Sequence, residues 1–177
     1  MRLGGSSLWT SSWGQPSTEP PVRIHLLCIG RRMPAWVGAG YAEYARRLAG
    51  ECSLELVEIE AGRRGKGVDL EQVRREEGER LLRALPKGAR AIALDARGET
   101  WDTARLAAEL EAWLAGGRDL ALMVGGADGL APECLHRAER RWSLSALTFP
   151  HPLVRVILAE QLYRAWSLVK GHPYHRA

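Results

Sequence analysis

The chain has 177 residues, 46% of them hydrophobic and 26% charged, which is the composition of an ordinary globular domain and too apolar for a disordered or fibrous one. Its net charge of +4 points to an anionic partner. The three cysteines, Cys28, Cys52 and Cys134, form no CxxC pair, so neither a disulfide framework nor a zinc site is indicated. No apolar run is long enough for a membrane span and no leader-like segment opens the chain, so a cytoplasmic protein is expected.

Residues 1–21 are rich in Ser, Gly, Thr and Pro and lack periodicity, and are expected to be a disordered extension whose only large apolar anchors are Trp9 and Trp13. Residues 22–177 are expected to form one domain. Val22 to Ile29 is a branched apolar run closed by Gly30, a strand. Ala35 to Leu48 has helical spacing, and Leu54 to Ile59 is a second strand. A basic glycine-rich loop, Ala61 to Gly67, follows. Asp69 caps the next helix, with Gln72 at capping-box spacing, and the helix runs to about Leu85. Ala89 to Asp95 is a strand, Thr103 to Ala115 a helix stopped by Gly116 and Gly117, and Asp119 to Val124 a fourth strand. A short helix follows Pro132, Ser143 to Leu147 is a fifth strand, and Pro152 to Lys170 is a long helix closed by Gly171. Strands alternating with helices predict an α/β fold, a mainly parallel sheet with helices on both faces. Ligands in such sheets bind beyond the carboxyl ends of the strands, so the loops after Asp95, Val124 and Leu147 are the first places to search.

The turn from Val124 to Gly129 (VGGADG) lets backbone approach a ligand. It is no P-loop, because no Gly-Lys-Ser/Thr follows, and its spacing is not GxGxxG. On its own it is equally a plain tight turn. Trp142 to Pro152 (WSLSALTFPHP) is apolar and hydroxyl-rich; it reads as an edge strand and loop, or as a wall for a flat heterocycle. From Arg137 onward there are seven basic residues against Glu139 and Glu160, a local charge of +5. Only three of the chain's 25 basic residues are Lys, and Arg suits phosphate oxygens and stacking on bases. Coding bias and solvated charge also produce such an excess. Glu160 and Arg164 stand four apart on the last helix and can pair. The tail gathers His172, Tyr174, His175 and Arg176. His172 and His175 lack a nearby third ligand, so no metal is expected, and contact with bases or phosphates is the better reading.

These pieces, in this order, resemble one family. The matching segments are Met33-Pro-x-Trp36, Glu43-Tyr44, Glu58-Ile59-x-Ala61-Gly62 with Arg64-Gly65-Lys66, Glu77-Gly78-Glu79, Leu94-Asp95 and Trp101-Asp-Thr103. They continue through Leu106 to Leu110, Gly125-Gly126, Gly129-Leu130, Trp142 to Thr148, Pro150 to Arg155, Glu160 to Ser167 and His172 to His175. The chain from Val22 to Arg176 is similar to the ribosomal RNA large subunit methyltransferase H family, a minimal branch of the SPOUT superfamily. The resemblance implies a parallel α/β fold ending in a trefoil knot, and a homodimer. It implies S-adenosylmethionine as cofactor and methyl transfer to N3 of a pseudouridine in 23S rRNA on the assembled ribosome. By position it implies that Leu94, Gly125, Gly126, Leu144, Ser145, Ala146, Leu147, Thr148 and Phe149 hold the cofactor. The sequence departs from the family pattern at Ala127-Asp128, at Phe149 and in the extra residues 1–21.

A sulfonium methyl is already electrophilic, so the enzyme must align it and manage the N3 proton. Candidates for the proton or for stabilising the uracil anion are Glu160, Arg164, His172, His175 and Arg176, with Arg155 and Tyr174 expected on the RNA side. Gly125→Val is expected to block the cofactor while sparing the fold. The alternative reading is a non-catalytic RNA-binding module of the translation apparatus.

Overall fold

The computed structural model describes residues 22–48, 50 and 52–176, so the expected disordered extension lies outside the described residues. Five strands, β1 (Val22–Ile29), β2 (Cys52–Ile59), β3 (Arg90–Thr100), β4 (Leu120–Val124) and β5 (Arg140–Ser143), form one sheet in the order β2-β1-β4-β3-β5. Every pairing is parallel. The helices are α1 (Ala35–Arg47), α2 (Leu70–Ala84), α3 (Thr103–Ala115), α4 (Pro132–Arg137) and α5 (His151–Val169).

The sheet is apolar on both faces because strand side chains alternate between them. Ile24, Leu26 and Cys28 of β1, Ile92 of β3 and Leu120, Leu122 and Val124 of β4 join α3 and α5 in one core, against which Tyr41 and Tyr44 of α1 pack. Leu27, Ile29, Ala91, Ala93, Ala121 and Met123 point the other way, into a smaller core with Leu81 of α2 and Cys134 of α4. The small residues on that second face suit a thin layer. Gly78 of α2 permits it: a Cβ there would stand 2.5 Å from the Ala131 Cβ. Burial pushes the Cys28 thiol up to about 12 and the Cys134 thiol to about 11, so both act as core residues.

Two boundaries differ from the sequence reading by more than two residues. β3 runs past Asp95 to Thr100, re-pairing with β5 after a bulge between Leu94 and Glu99. β5 is Arg140–Ser143, not Ser143 to Leu147. The hydroxyls explain the second difference. Ser143 Oγ donates to the Ser145 carbonyl (3.1 Å), and Ser145 Oγ accepts from Leu147 N (2.9 Å), so local bonds replace ladder bonds. The apolar run is therefore a loop.

Asp69 caps α2, its Oδ1 accepting from Glu71 N (2.9 Å) and Gln72 N (3.3 Å). The box does not close, since Gln72 Nε2 donates to Glu76 instead. Asp69→Ala is expected to lower the unfolding free energy by about 1 kcal/mol. Asn at that position should recover most of it in urea titrations.

Candidate active site

The carboxyl ends of β3, β4 and β5 open into a cavity of about 460 Å³, within the range of small-molecule sites. Three loops make its walls. Leu94 and Asp95 come from β3, Gly125, Gly126, Ala127 and Gly129 from the turn after β4, and Leu144, Ser145, Leu147, Thr148 and Phe149 from the loop after β5. His151 and Val154, at the start of α5, close it. Of the nine residues expected at the cofactor, eight line this cavity; Ala146 is exposed and does not.

The turn after β4 is tight. Gly129 N donates to the Gly126 carbonyl (3.0 Å), and Gly129 takes a φ of +79° that favours glycine. Gly125 is held differently. A Cβ there would lie 2.4 Å from the Gly129 carbonyl carbon, so its neighbour is the loop's own backbone and not open cavity.

The polar groups at the walls are few. Asp95 Oδ1 accepts from Arg97 N (3.2 Å), while Asp95 Oδ2 has no protein partner. Trp142, stacked on Trp101 at 5.0 Å between ring centroids, has an unpartnered indole N–H. His151 Nε2 donates to the Ile29 carbonyl. Burial is the main reason its imidazole titrates below the ordinary histidine range, with the neighbouring Arg155 and Arg64 charges acting the same way; the Ile29 carbonyl and Glu77 oppose them. Sequence reasoning named neither Asp95 nor His151 as a site residue, although the ends of strands were marked for search.

Arg155 corrects an expectation. It was expected on the RNA side, but its side chain is 1% exposed. Its Nη1 pairs with Glu58 and its Nη2 donates to the Gly30 carbonyl at 2.5 Å. Its contacts are with the ends of β1 and β2. A valine at this position would have looked buried; an arginine in the basic C-terminal segment did not.

The second expected group assembles around Glu160, at the middle of α5, and the helix's C-terminal half. Arg164 donates to Glu160 Oε1 through Nη2 (2.6 Å) and Nε (3.0 Å), and Tyr174 Oη donates to the same oxygen (3.2 Å). The Arg164 guanidinium lies 5.2 Å from the Tyr174 ring centre. Tyr174 packs on Tyr163 at 4.7 Å and His172 on Tyr163 at 6.5 Å. The tail returns to the helix because Gly171 has a φ of +66°, after which Pro173–Arg176 forms a 3-10 turn. The side chains of His175 and Arg176 are outside the described residues. Burial is the first cause of a raised Tyr174 phenol. Among the described residues no three His, Cys, Asp or Glu side chains gather as a metal site.

The cavity and the tail cluster are thus separate groups. Along α5, His151 at the cavity and Glu160, which Tyr174 of the tail bonds, stand nine residues apart, roughly 14 Å at about 1.5 Å per residue.

Because the Gly125 Cβ position is filled by backbone, Gly125→Val should damage the fold as well as the cavity. The expectation that it spares the fold is withdrawn. Overpacking of this kind costs about 1–3 kcal/mol. Thermal melts should show a clear fall in Tm for Gly125→Val, together with weakened ligand binding.

Residues 22–175 match the family model described as predicted SPOUT methyltransferase. The chain is 65% identical over 156 residues to ribosomal RNA large subunit methyltransferase H of Alkalilimnicola ehrlichii, covering 88% of this chain and 100% of that one. It is 60% identical over 155 residues to the protein of the same name in Thioalkalivibrio sulfidiphilus, covering 88% and 99% of the two chains. The likeness to that of Methylococcus capsulatus is 54% over 155 residues, covering 88% and 100%. The chain therefore belongs to the SPOUT methyltransferases, among the ribosomal RNA large subunit methyltransferase H proteins.

Proposed function

We propose that this chain transfers a methyl group from S-adenosylmethionine to N3 of a pseudouridine in 23S rRNA, on the assembled ribosome in the cytoplasm. The observation that carries the reading is the cavity itself. Eight residues named from the sequence alone, in three separate segments, meet around one space of about 460 Å³. The relatives' names supply the reaction and the RNA class. A non-catalytic RNA-binding module is not favoured for a member of a methyltransferase family.

The walls fit the cofactor. Leu94, Leu144, Leu147 and Val154 offer apolar surface for an adenine ring, and the loop backbone from Leu144 to Phe149 offers polar edges. Asp95 Oδ2 is an acceptor without a protein partner, suited to a hydroxyl or an ammonium group. When bound, the cofactor supplies an activated methyl on a sulfonium. The chain's work is then alignment of the uracil ring and removal or sharing of the N3 proton. Glu160 holds Arg164 and Tyr174 in one arrangement, which suits Arg164 to stabilising a developing uracil anion and Tyr174 to stacking on a base. His172, His175 and Arg176 complete the candidates for proton transfer and phosphate contact.

We read residues 22–177 as one catalytic domain and 1–21 as an appendage to it; the family match begins at residue 22. The domain is read as knotted. The segment after β5 leaves the sheet beside β3 and delivers α5 to the ends of β1 and β2, a crossing that supports a threaded chain. The separation of cavity and tail supports a homodimer in which the tail of one copy reaches the cavity of the other. Trp36 of α1, 56% exposed beside the α1–α5 layer, gives such a dimer an apolar contact.

Calorimetry with S-adenosylmethionine, beside NAD as a control, tests the cofactor; methylation of ribosomes tests the reaction. A chain that binds neither ligand would refute the enzyme reading. Removing Gly171 to Ala177 should lower methyl transfer by about 10²-fold or more while leaving most cofactor binding intact. Light scattering should report a dimer at micromolar concentration. A fully active monomer would refute the composite site.

A further inference from the structure

Glu77 is a carboxylate buried in α2, its side chain 2% exposed. Its Oε1 accepts from Gly62 N (2.8 Å) and from Arg64 Nη1 (2.9 Å), and its Oε2 accepts from Arg64 Nη2 (3.1 Å). Arg64 belongs to the basic glycine-rich loop after β2. Its Nε donates to Asp128 Oδ2 (3.0 Å), in the turn after β4. One guanidinium therefore joins α2, the loop after β2 and the turn that walls the cavity. Gly126, the second glycine of that turn's pair, rests on the same ions. A Cβ on Gly126 would lie 2.7 Å from Glu77 Oε2 and 3.0 Å from Arg64 Nη2.

An ion pair with one partner buried and the other, Arg64, 28% exposed adds little stability beyond what a well-packed apolar pair would give. Its presence here calls for a geometric reason. Arginine supplies a planar fork that can bond a carboxylate with two parallel N–H groups and still reach a second acceptor, which no apolar residue does. Ion pair and turn touch at both ends of the turn: under Gly126, and at Asp128.

We propose that the Arg64–Glu77 ion pair is a positioning element for the cofactor site, a floor and clamp that holds the Gly126–Gly129 turn at the height the cofactor requires. Neither residue lines the cavity, so each acts through the turn and not on the cofactor. The inference rests on the cofactor reading above. It assigns a function to the Arg64 and Glu77 segments beyond packing, and it couples the loop after β2 to the cavity wall.

The test is made on the full chain, with S-adenosylmethionine titrated by calorimetry and Tm read on the same samples. Arg64→Met removes the fork and strands the Glu77 charge, so both stability and affinity should fall. Adding Glu77→Gln neutralises the stranded charge. The double variant should regain most of the lost Tm yet still bind the cofactor about tenfold more weakly than wild type or worse. A double variant with wild-type affinity would overturn the proposal and leave the pair a packing device. Asp128→Asn covers the case in which the double variant does not fold. It weakens the clamp at its accessible end, and should lower affinity severalfold at unchanged Tm; unchanged affinity there overturns the proposal as well. A wild-type chain that does not bind S-adenosylmethionine would instead overturn the cofactor reading, and this inference with it.

Discussion

The fastening of α5 to the carboxyl ends of β1 and β2 is the contact on which the site depends. Within its first two turns the helix engages the Ile29 carbonyl through His151, and Glu58 and the Gly30 carbonyl through Arg155. Gly30 supplies the turn between them and the strand: its φ is +103°, a conformation that side-chain-bearing residues rarely adopt. These bonds fix where α5 begins. The loop from Leu144 to Pro150 must then bridge from the sheet edge at β5 to that point, and in bridging it becomes the cavity's third wall. Arg155 is a buried charge and gains its place only because its partners are supplied by two separate strand ends.

The chemistry that follows is chemistry of placement. The cavity walls carry no cluster of nucleophiles among the described residues, and the cysteines are buried, Cys28 and Cys134 with raised thiols. What the site offers is apolar surface, backbone groups, one unpartnered carboxylate oxygen and the buried Trp142 indole behind one wall. The Glu160–Arg164–Tyr174 group stands apart, farther along α5. Such a division suits a transfer in which the reactive group arrives already activated and the protein sets only distance and direction.

Much of this was legible in the sequence. Strand and helix order followed from apolar runs and their punctuation, because a parallel sheet buried on both faces needs unbroken apolar strands such as LALMV at Leu120–Val124. The cavity residues were legible only through resemblance, since glycine turns and a Ser-rich apolar run are individually common. Three things were not legible. The exact place of β5 was hidden, because Ser143 and Ser145 spend their hydroxyls on the neighbouring backbone and so convert a strand-like run into a loop. Arg155 looked like a surface charge until the fold brought Glu58, 97 positions away, against it. Glu77, in a helix dense with charge, could not be told from its solvated neighbours. Such long-range pairings leave no periodic trace.

Trp142 has a further consequence. Its indole is 2% exposed, faces the cavity wall and is stacked on Trp101, which in turn tilts against Trp113 at 6.2 Å. Three coupled chromophores thus run from the cavity into the core between the sheet and α3. Any molecule entering the space beside Trp142 alters the polarity and quenching around the outermost of them. Trp142 is thus placed to act as an intrinsic optical reporter of the cavity, one of seven tryptophans in the chain, whose contribution a Trp142→Phe variant would isolate.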